Sequence, residues 1–211
     1  MSGETGKFIT LEGIEGVGKT TNREYIQNLL EQTGRDCVVT REPGGTPLGE
    51  ALREMLLEHR HDGMSSDAEL LMMFAARAEH LNKIILPALK AGKNVLCDRF
   101  TEATYAYQGG GRGINDKKIA ELENWVQGDL RPDLTIILDA PVETGRSRAG
   151  QRSAPDRIEK EQNDFFERVR STYLELADHY PHRMAVVDAG VAIEKVQNQI
   201  YHVMTEHGIL D

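Results

Sequence analysis

Gly13-Ile14-Glu15-Gly16-Val17-Gly18-Lys19-Thr20 spells G-x-x-x-x-G-K-T, and its setting decides the fold. A short apolar run, Phe8–Leu11, precedes it, and a helical pattern over Lys19–Thr33 follows. That strand–loop–helix order is what a phosphate-binding loop requires. Its glycines let backbone N–H groups turn inward around phosphate oxygens with no Cβ in the way. The helix behind it adds a positive N-terminal end. Gly13 through Thr20, with Thr21, are therefore the residues expected to bind a nucleotide's phosphates. Lys19 is expected at the β- and γ-phosphates, and the Thr20 hydroxyl at Mg²⁺.

Outward from the loop, apolar β-branched runs alternate with helical patterns. Strands are expected at Phe8–Leu11, Cys37–Thr40, Asn94–Cys97, Leu134–Leu138 and Ala185–Val187. Helices are expected at Lys19–Thr33, Pro47–His59, Ser66–Ala91, Asp116–Gln127, Val142–Ala149, Ile158–His179 and Ala192–Glu206. Strands separated by helices mean βαβ units and an α/β fold with a parallel sheet covered on both faces. The Gly109-Gly110-Gly111-Arg112-Gly113 cluster reads as a loop, too short to separate domains. One domain is expected over residues 1–211, with a mobile lid at about 146–160.

Composition narrows the function. The chain has 211 residues, 39% hydrophobic and 28% charged, which suits one globular domain. No apolar run nears the ~18 residues a membrane span needs, and no secretory signal is visible, so a cytoplasmic protein is expected. Cys37 and Cys97 read as reduced, buried thiols. The formal charge of −9 argues against a general nucleic-acid binder, whose affinity rests on neutralising phosphates. Any anionic ligand must meet locally clustered arginines.

Ligands of parallel sheets collect beyond the C-terminal strand ends. There the chain offers Glu12, Arg41-Glu42-Pro43-Gly44-Gly45, Asp98-Arg99-Phe100, Asp139-Ala140-Pro141 and Asp188-Ala189-Gly190. Arg41 and Arg99 exceed what one nucleotide's phosphates require, and Arg53 and Arg77 can join them. A second anionic group is the economical reading, because arginine forks match phosphate oxygens. Asp98 suits a carboxylate near Mg²⁺ or its waters, whereas Asp139 reads as structural. Arg146, Arg148, Arg152 and Arg157 crowd a segment that can close over phosphates and exclude water. A GTP switch is disfavoured: Asn82-Lys83 lacks the aspartate of N-K-x-D, and no D-x-x-G occurs.

In this order GIEGVGKTT, TREPGGTPLGEALR, FAAR, DRFTEATYAYQGGGRG, RPDLTIILD and DRIEKE resemble the thymidylate kinases, most closely the bacterial ones. The resemblance implies a P-loop NTPase-type three-layer sandwich with a five-stranded parallel sheet flanked by helices. It implies transfer of the ATP γ-phosphoryl group to dTMP, Mg²⁺ as cofactor, and a homodimer. By motif, Glu15 approaches the dTMP sugar, Arg53 and Arg99 its phosphate, and Arg77 the thymine edge. Pro43, Thr104, Tyr107 and Gln108 line the pocket, with Arg41 nearby. Arg152 is the expected catalytic lid arginine, chosen over Arg148, with Asp156 and Glu159 at the lid's end. Relatives often place an aromatic ring over thymine four residues before the FAAR arginine. That position is Met73 here, followed by Phe74, and about 100° of helix rotation separates the two.

Overall fold

The computed structural model describes residues 5–58, 63–149 and 156–210. Five strands, β1 (Phe8–Glu12), β2 (Cys37–Arg41), β3 (Asn94–Asp98), β4 (Leu134–Asp139) and β5 (Met184–Asp188), form one parallel sheet in the order β2-β3-β1-β4-β5. The register pairs Ile9 with Leu96 on one side and with Leu134 on the other. β1 thus runs up the middle, and every residue in it is buried. Each expected strand is present and ends one residue later, on a polar group: Glu12, Arg41, Asp98, Asp139 or Asp188. Both cysteines are free, but Cys37 on the edge strand is partly exposed and only Cys97 is buried.

The helices are α1 (Lys19–Gln32), α2 (Pro47–Leu57), α3 (Ser66–His80), α4 (Leu86–Lys90), α5 (Thr101–Thr104), α6 (Asp116–Gln127), α7 (Val142–Ala149), α8 (Asn163–His179) and α9 (Ile193–Glu206). Their starts follow side-chain chemistry. Thr46 caps α2 by accepting from Gly49 N, with Pro47 in the first turn, and Ser65 caps α3 by accepting from Ala68 N. The helix expected over Ser66–Ala91 is helical throughout, yet a π turn at Leu81–Ile85 separates α3 from α4. Pro87 lacks an N–H and would clash with the carbonyl four residues earlier, so a widened turn relieves the conflict. The helix expected from Ile158 starts only at Asn163. Before it, Asp156 Oδ1 accepts from Ile158 N and Glu159 N and closes a separate turn.

The glycine cluster departs from expectation in part: Gly109–Gly111 close a π-helical segment, Tyr105–Gly111, that continues α5, and only Arg112 and Gly113 leave it as a turn. It packs against α8 so closely that a Cβ on Gly110 would lie 2.1 Å from Thr172 Oγ1, and one on Gly111 would lie 2.4 Å from the Phe165 ring. The glycines are present for that approach, and tertiary contact overrides their weak helix propensity. On α8, Phe165, Phe166, Val169, Tyr173 and Ala177 form the buried stripe, at helical spacing. Each large side chain so buried contributes about 2 kcal/mol.

Candidate active site

One cavity of about 320 Å³ opens beyond the C-terminal ends of β1, β2 and β3. Its floor is the loop between β1 and α1. That loop is anchored from behind: Ile14 and Val17 are in the core. Gly16 has φ +76°, and a Cβ there would sit 1.9 Å from Gly145 O of α7. Only glycine fits both the backbone and the contact. Gly18 takes φ +92° at the cap of α1. Lys19 folds back over the loop, donating to Gly13 O at 2.9 Å and Ile14 O at 2.8 Å. Burial, and then the Arg99 charge, pull Lys19 down to about 8.

Most predicted residues line this cavity. They are Glu15, Gly16, Gly18, Lys19 and Thr20 from the loop, Arg41, Pro43 and Arg53 from β2 and α2, Met73 and Arg77 from α3, and Asp98, Arg99, Thr104, Tyr107 and Gln108. Gly13 contributes its carbonyl, and Thr21 is exposed on α1 outside the lining. Phe74 is not in the lining. It is buried with Leu70 and Ile119 against α6, because the helical turn that aims Met73 at the cavity sends its neighbour elsewhere. Arg152 lies outside the described residues. Asp156 and Glu159 do line the cavity.

Arg99 ties the site together. Its side chain donates to Glu15 Oε1 at 2.6 Å, Gly13 O at 2.9 Å and Tyr173 Oη at 3.4 Å, and its guanidinium carbon stands 4.8 Å from the Tyr107 ring centre. Its backbone is left-handed, φ +70°, the one such non-glycine residue among those described. Tyr107 donates its hydroxyl to the Glu15 carboxylate at 2.9 and 3.0 Å. Arg53 donates to Pro43 O, and Arg41 pairs with Glu50 at the rim. Burial lowers the Arg53 pKa, and the charges of Arg41 and Arg99 lower it further. The cavity thus brings five cations, Lys19, Arg41, Arg53, Arg77 and Arg99, alongside five carboxylates, Glu15, Glu42, Asp98, Asp156 and Glu159, and its arginine forks match phosphate oxygens. Asp139, by contrast, is clamped by two bonds from Arg170 at 2.7 and 2.8 Å.

The family profile described as Thymidylate kinase matches residues 11–200. This chain belongs to the thymidylate kinase family. It is similar to the thymidylate kinase of Ectopseudomonas mendocina, 57% identical over 93% of each chain, and to that of Pseudomonas syringae pv. tomato, 56% identical over 96% of each. A solved thymidylate kinase from Ehrlichia chaffeensis is similar in fold, with a TM-score of 0.78 and 35% identity over 95% of this chain and 99% of that one. The sheet and its loop are accordingly those of a P-loop NTPase fold, and the chain is an enzyme of the nucleoside monophosphate kinase class.

In this thymidylate kinase family site Glu12 was foreseen only as a polar residue at a strand end, with no role given to it. Glu12, fully buried, accepts from Phe100 N at 2.6 Å and Tyr173 Oη at 2.7 Å, and so braces the turn that carries Arg99. The signal was a lone carboxylate ending an apolar strand; its partner 161 residues away was not readable. Burial, and then the Glu102 charge, push Glu12 up to about 7. An unfolded glutamate titrates near 4.5, so the folded chain holds the proton more tightly between those values. The fold therefore loses stability as pH rises from 4.5 to about 7 and keeps the full penalty above. Glu12→Gln removes that titration and can bond the same two partners. We expect it to melt about 9 °C above the parent at pH 8, for roughly 3 kcal/mol, and level with it at pH 4.5. Equal melting offsets at both pH values would refute this.

Proposed function

We propose that this chain transfers the γ-phosphoryl group of ATP to dTMP, giving dTDP and ADP, in the supply of dTTP. The observation that carries the reading is the single cavity wall on which the phosphate loop meets Arg41, Arg53, Arg77 and Arg99. One triphosphate cannot employ them all. The acceptor is a phosphate monoester with a second pKa near 6, already largely dianionic at neutral pH. It needs no general base. The obstacle is bringing two polyanions together, since like unit charges ~4 Å apart repel by about 4 kcal/mol at an effective dielectric of 20. Arg53 and Arg99 offset this on the acceptor, and Lys19 on the donor. Catalysis is then alignment plus charge stabilisation.

Glu15 meets the acceptor sugar, with Tyr107 against it; Met73 covers the base; Pro43, Thr104 and Gln108 line its pocket. Arg77 serves the thymine edge. One terminal nitrogen of Arg77 is buried with no hydrogen-bond partner among the described residues, which suits a donor kept for a carbonyl oxygen. Thr20 and Asp98 share the cavity and offer the hard oxygen donors that Mg²⁺ prefers. They would hold it together with phosphate oxygens and water. Held there by Thr20 and Asp98, Mg²⁺ would supply positive charge to offset that of the donor phosphates. No cluster of three or more carboxylate, histidine or cysteine ligands occurs among the described residues. A shared substrate–protein site is consistent with that.

Arg152 is the catalytic lid arginine in this reading. Its neighbours are engaged elsewhere: Arg146 with Glu161 O, Arg148 with Ala189 O, and Arg157 with Glu69 and Leu56 O. Arg152→Ala is expected to lower kcat about a hundredfold while raising the KM for dTMP less than about threefold. Unchanged turnover would move the role to another arginine.

A homodimer in the cytoplasm is part of the proposal. Leu48 and Met55 on α2, Leu71 on α3 and Trp125 on α6 are exposed, on helices that pack in sequence. Such a run of apolar side chains suits a partner copy. Sedimentation at micromolar concentration should give twice the chain mass, and a monomer would reject it. No described helix is long and apolar enough to cross a membrane. The deciding assay for the reaction is a panel of nucleoside monophosphates with ATP and Mg²⁺, resolved by product chromatography. New diphosphate from dTMP is expected. ATP loss without one would indicate an ATPase or switch.

A further inference from the structure

Behind Arg77 a chain of polar groups runs from Glu42 and Thr104 in the cavity lining to His80 and Thr40 outside it. Arg77 Nε donates to Glu42 Oε2 at 2.7 Å, and one terminal nitrogen donates to Phe100 O at 3.1 Å and Thr104 Oγ1 at 2.9 Å. The Phe74 and Phe100 ring centres lie 4.8 and 5.1 Å from the guanidinium carbon. The second oxygen of Glu42 is taken by His80, Nδ1 to Oε1 at 2.9 Å, and His80 Nε2 meets Thr40 Oγ1 at 2.6 Å. A carboxylate only accepts, so Nδ1 donates whichever state the ring is in. Glu42 and Arg77 are almost wholly buried and His80 is wholly so, and His80 is not part of the cavity lining. A Cβ on Gly45 would fall 2.6 Å from His80 Nε2 and 2.7 Å from Thr40 Oγ1, so the β2–α2 turn leaves space for this contact alone.

Each oxygen of Glu42 therefore has its own partner. Without His80, the carboxylate would have one buried oxygen unmet and freedom to rotate or to draw water in. Arg77 would then lose the fixed anchor for its Nε, and its unpaired nitrogen would lose its direction. We propose that His80 is a positioning residue for base selection: by holding Glu42 it fixes Arg77, whose remaining N–H selects a base with a carbonyl oxygen at that edge and rejects one with an exocyclic amine. This rests on the reading above that Arg77 serves the base edge. Rejection follows because an amine there would set donor against donor, in a place that neither water nor rotation of the guanidinium can relieve. Thr40 acts one step further back, by holding the far side of the imidazole.

The test is a set of initial-rate measurements at saturating ATP with dTMP, dUMP and dCMP, on the parent chain, His80→Leu, His80→Asn and Thr40→Val. His80→Leu is expected to raise the KM for dTMP about tenfold, to leave the KM for ATP within about twofold, and to cut the kcat/KM preference for dTMP over dCMP at least about fivefold. His80→Asn, whose amide can donate from nearly the position of Nδ1, should restore most of that preference. Thr40→Val should reduce it about twofold. A role in folding alone would lower kcat with all acceptors and leave the preference intact, and that result overturns the proposal. If His80→Leu does not fold, the same ratio in the other two variants decides: an unchanged preference in Thr40→Val overturns it, and a reduced one upholds it. A parent chain that phosphorylates dCMP in preference to dTMP, or dTMP not at all, defeats the assigned function and the relay with it. That outcome is separate from a failure confined to the variants.

Discussion

Lys19→Ala is expected to reduce phosphoryl transfer by roughly a thousandfold or more, measured as kcat under saturating ATP and dTMP. The lysine is the only cation the loop itself supplies, and it bends over Gly13 O and Ile14 O, already placed above the floor of the cavity. Charge that builds on the transferring group has no substitute at that point. The same position has an opposite effect on stability. An unfolded lysine titrates near 10.5, and burial holds Lys19 near 8. Between those values the unfolded chain binds the extra proton, so the nucleotide-free fold gains stability as pH rises from about 8 towards 10.5. Below 8 it carries the whole cost of burying the charge, about 3 kcal/mol. Lys19→Met, which keeps the stem and drops the charge, should therefore melt higher than the parent at pH 7 without nucleotide, while being as inactive as the alanine variant. Near-normal activity in either variant would reject the donor-site assignment. A lower melting point for Lys19→Met would reject the burial argument.

Arg99→Ala is expected to lower kcat/KM for dTMP by about a hundredfold to a thousandfold, and to leave the KM for ATP nearly unchanged. Arg99 is the proposed acceptor-phosphate cation, and its loss also strips the Glu15 carboxylate of its charge partner at 2.6 Å. The fall should therefore exceed that of a cation lost from the rim, such as Arg41, which is half exposed and paired with Glu50. Its backbone offers an internal control. At φ +70° an alanine is strained by roughly 1 kcal/mol and a glycine is not. Arg99→Gly and Arg99→Ala should be equally inactive, with the glycine variant the more stable by chemical denaturation. Equal stability would mean the turn relaxes when the side chain leaves. Activity near the parent level in either variant would transfer the phosphate role to Arg53.

The sheet was legible because its strands are short apolar runs ending on polar groups, and because helical patterns intervene. The loop was legible because phosphate chemistry demands glycines and a lysine at fixed spacing. Tyr105–Gly111 was not, since three successive glycines say turn on local grounds and their real role is to admit α8. Residues facing the cavity came largely from motifs, which preserve what ligands require. The groups that orient them did not. Glu12 reaches Tyr173, and Glu42 reaches His80, across separations that only the folded sheet closes. A buried polar side chain gives notice in sequence that it needs a partner, but not which one. Met73 and Phe74 show the converse: adjacent residues on one helix were separable only once α3 was docked against α6.

The central place of β1 has a pharmacological corollary. A strand bonded on both flanks is the stiffest part of such a sheet, and the phosphate loop grows directly from it. A compound that had to distort that loop would meet high resistance. The opposite rim is joined differently: Arg157 spans from the turn after Asp156 to two carbonyls at the end of α2, Leu56 O at 2.9 Å and Leu57 O at 3.2 Å. A wedge inserted beside that bridge would have one side-chain and one main-chain hydrogen bond from Arg157, and the Arg157–Glu69 ion pair, to break rather than a sheet. Inhibitor design would do better to pry at this seam than to compete at the floor.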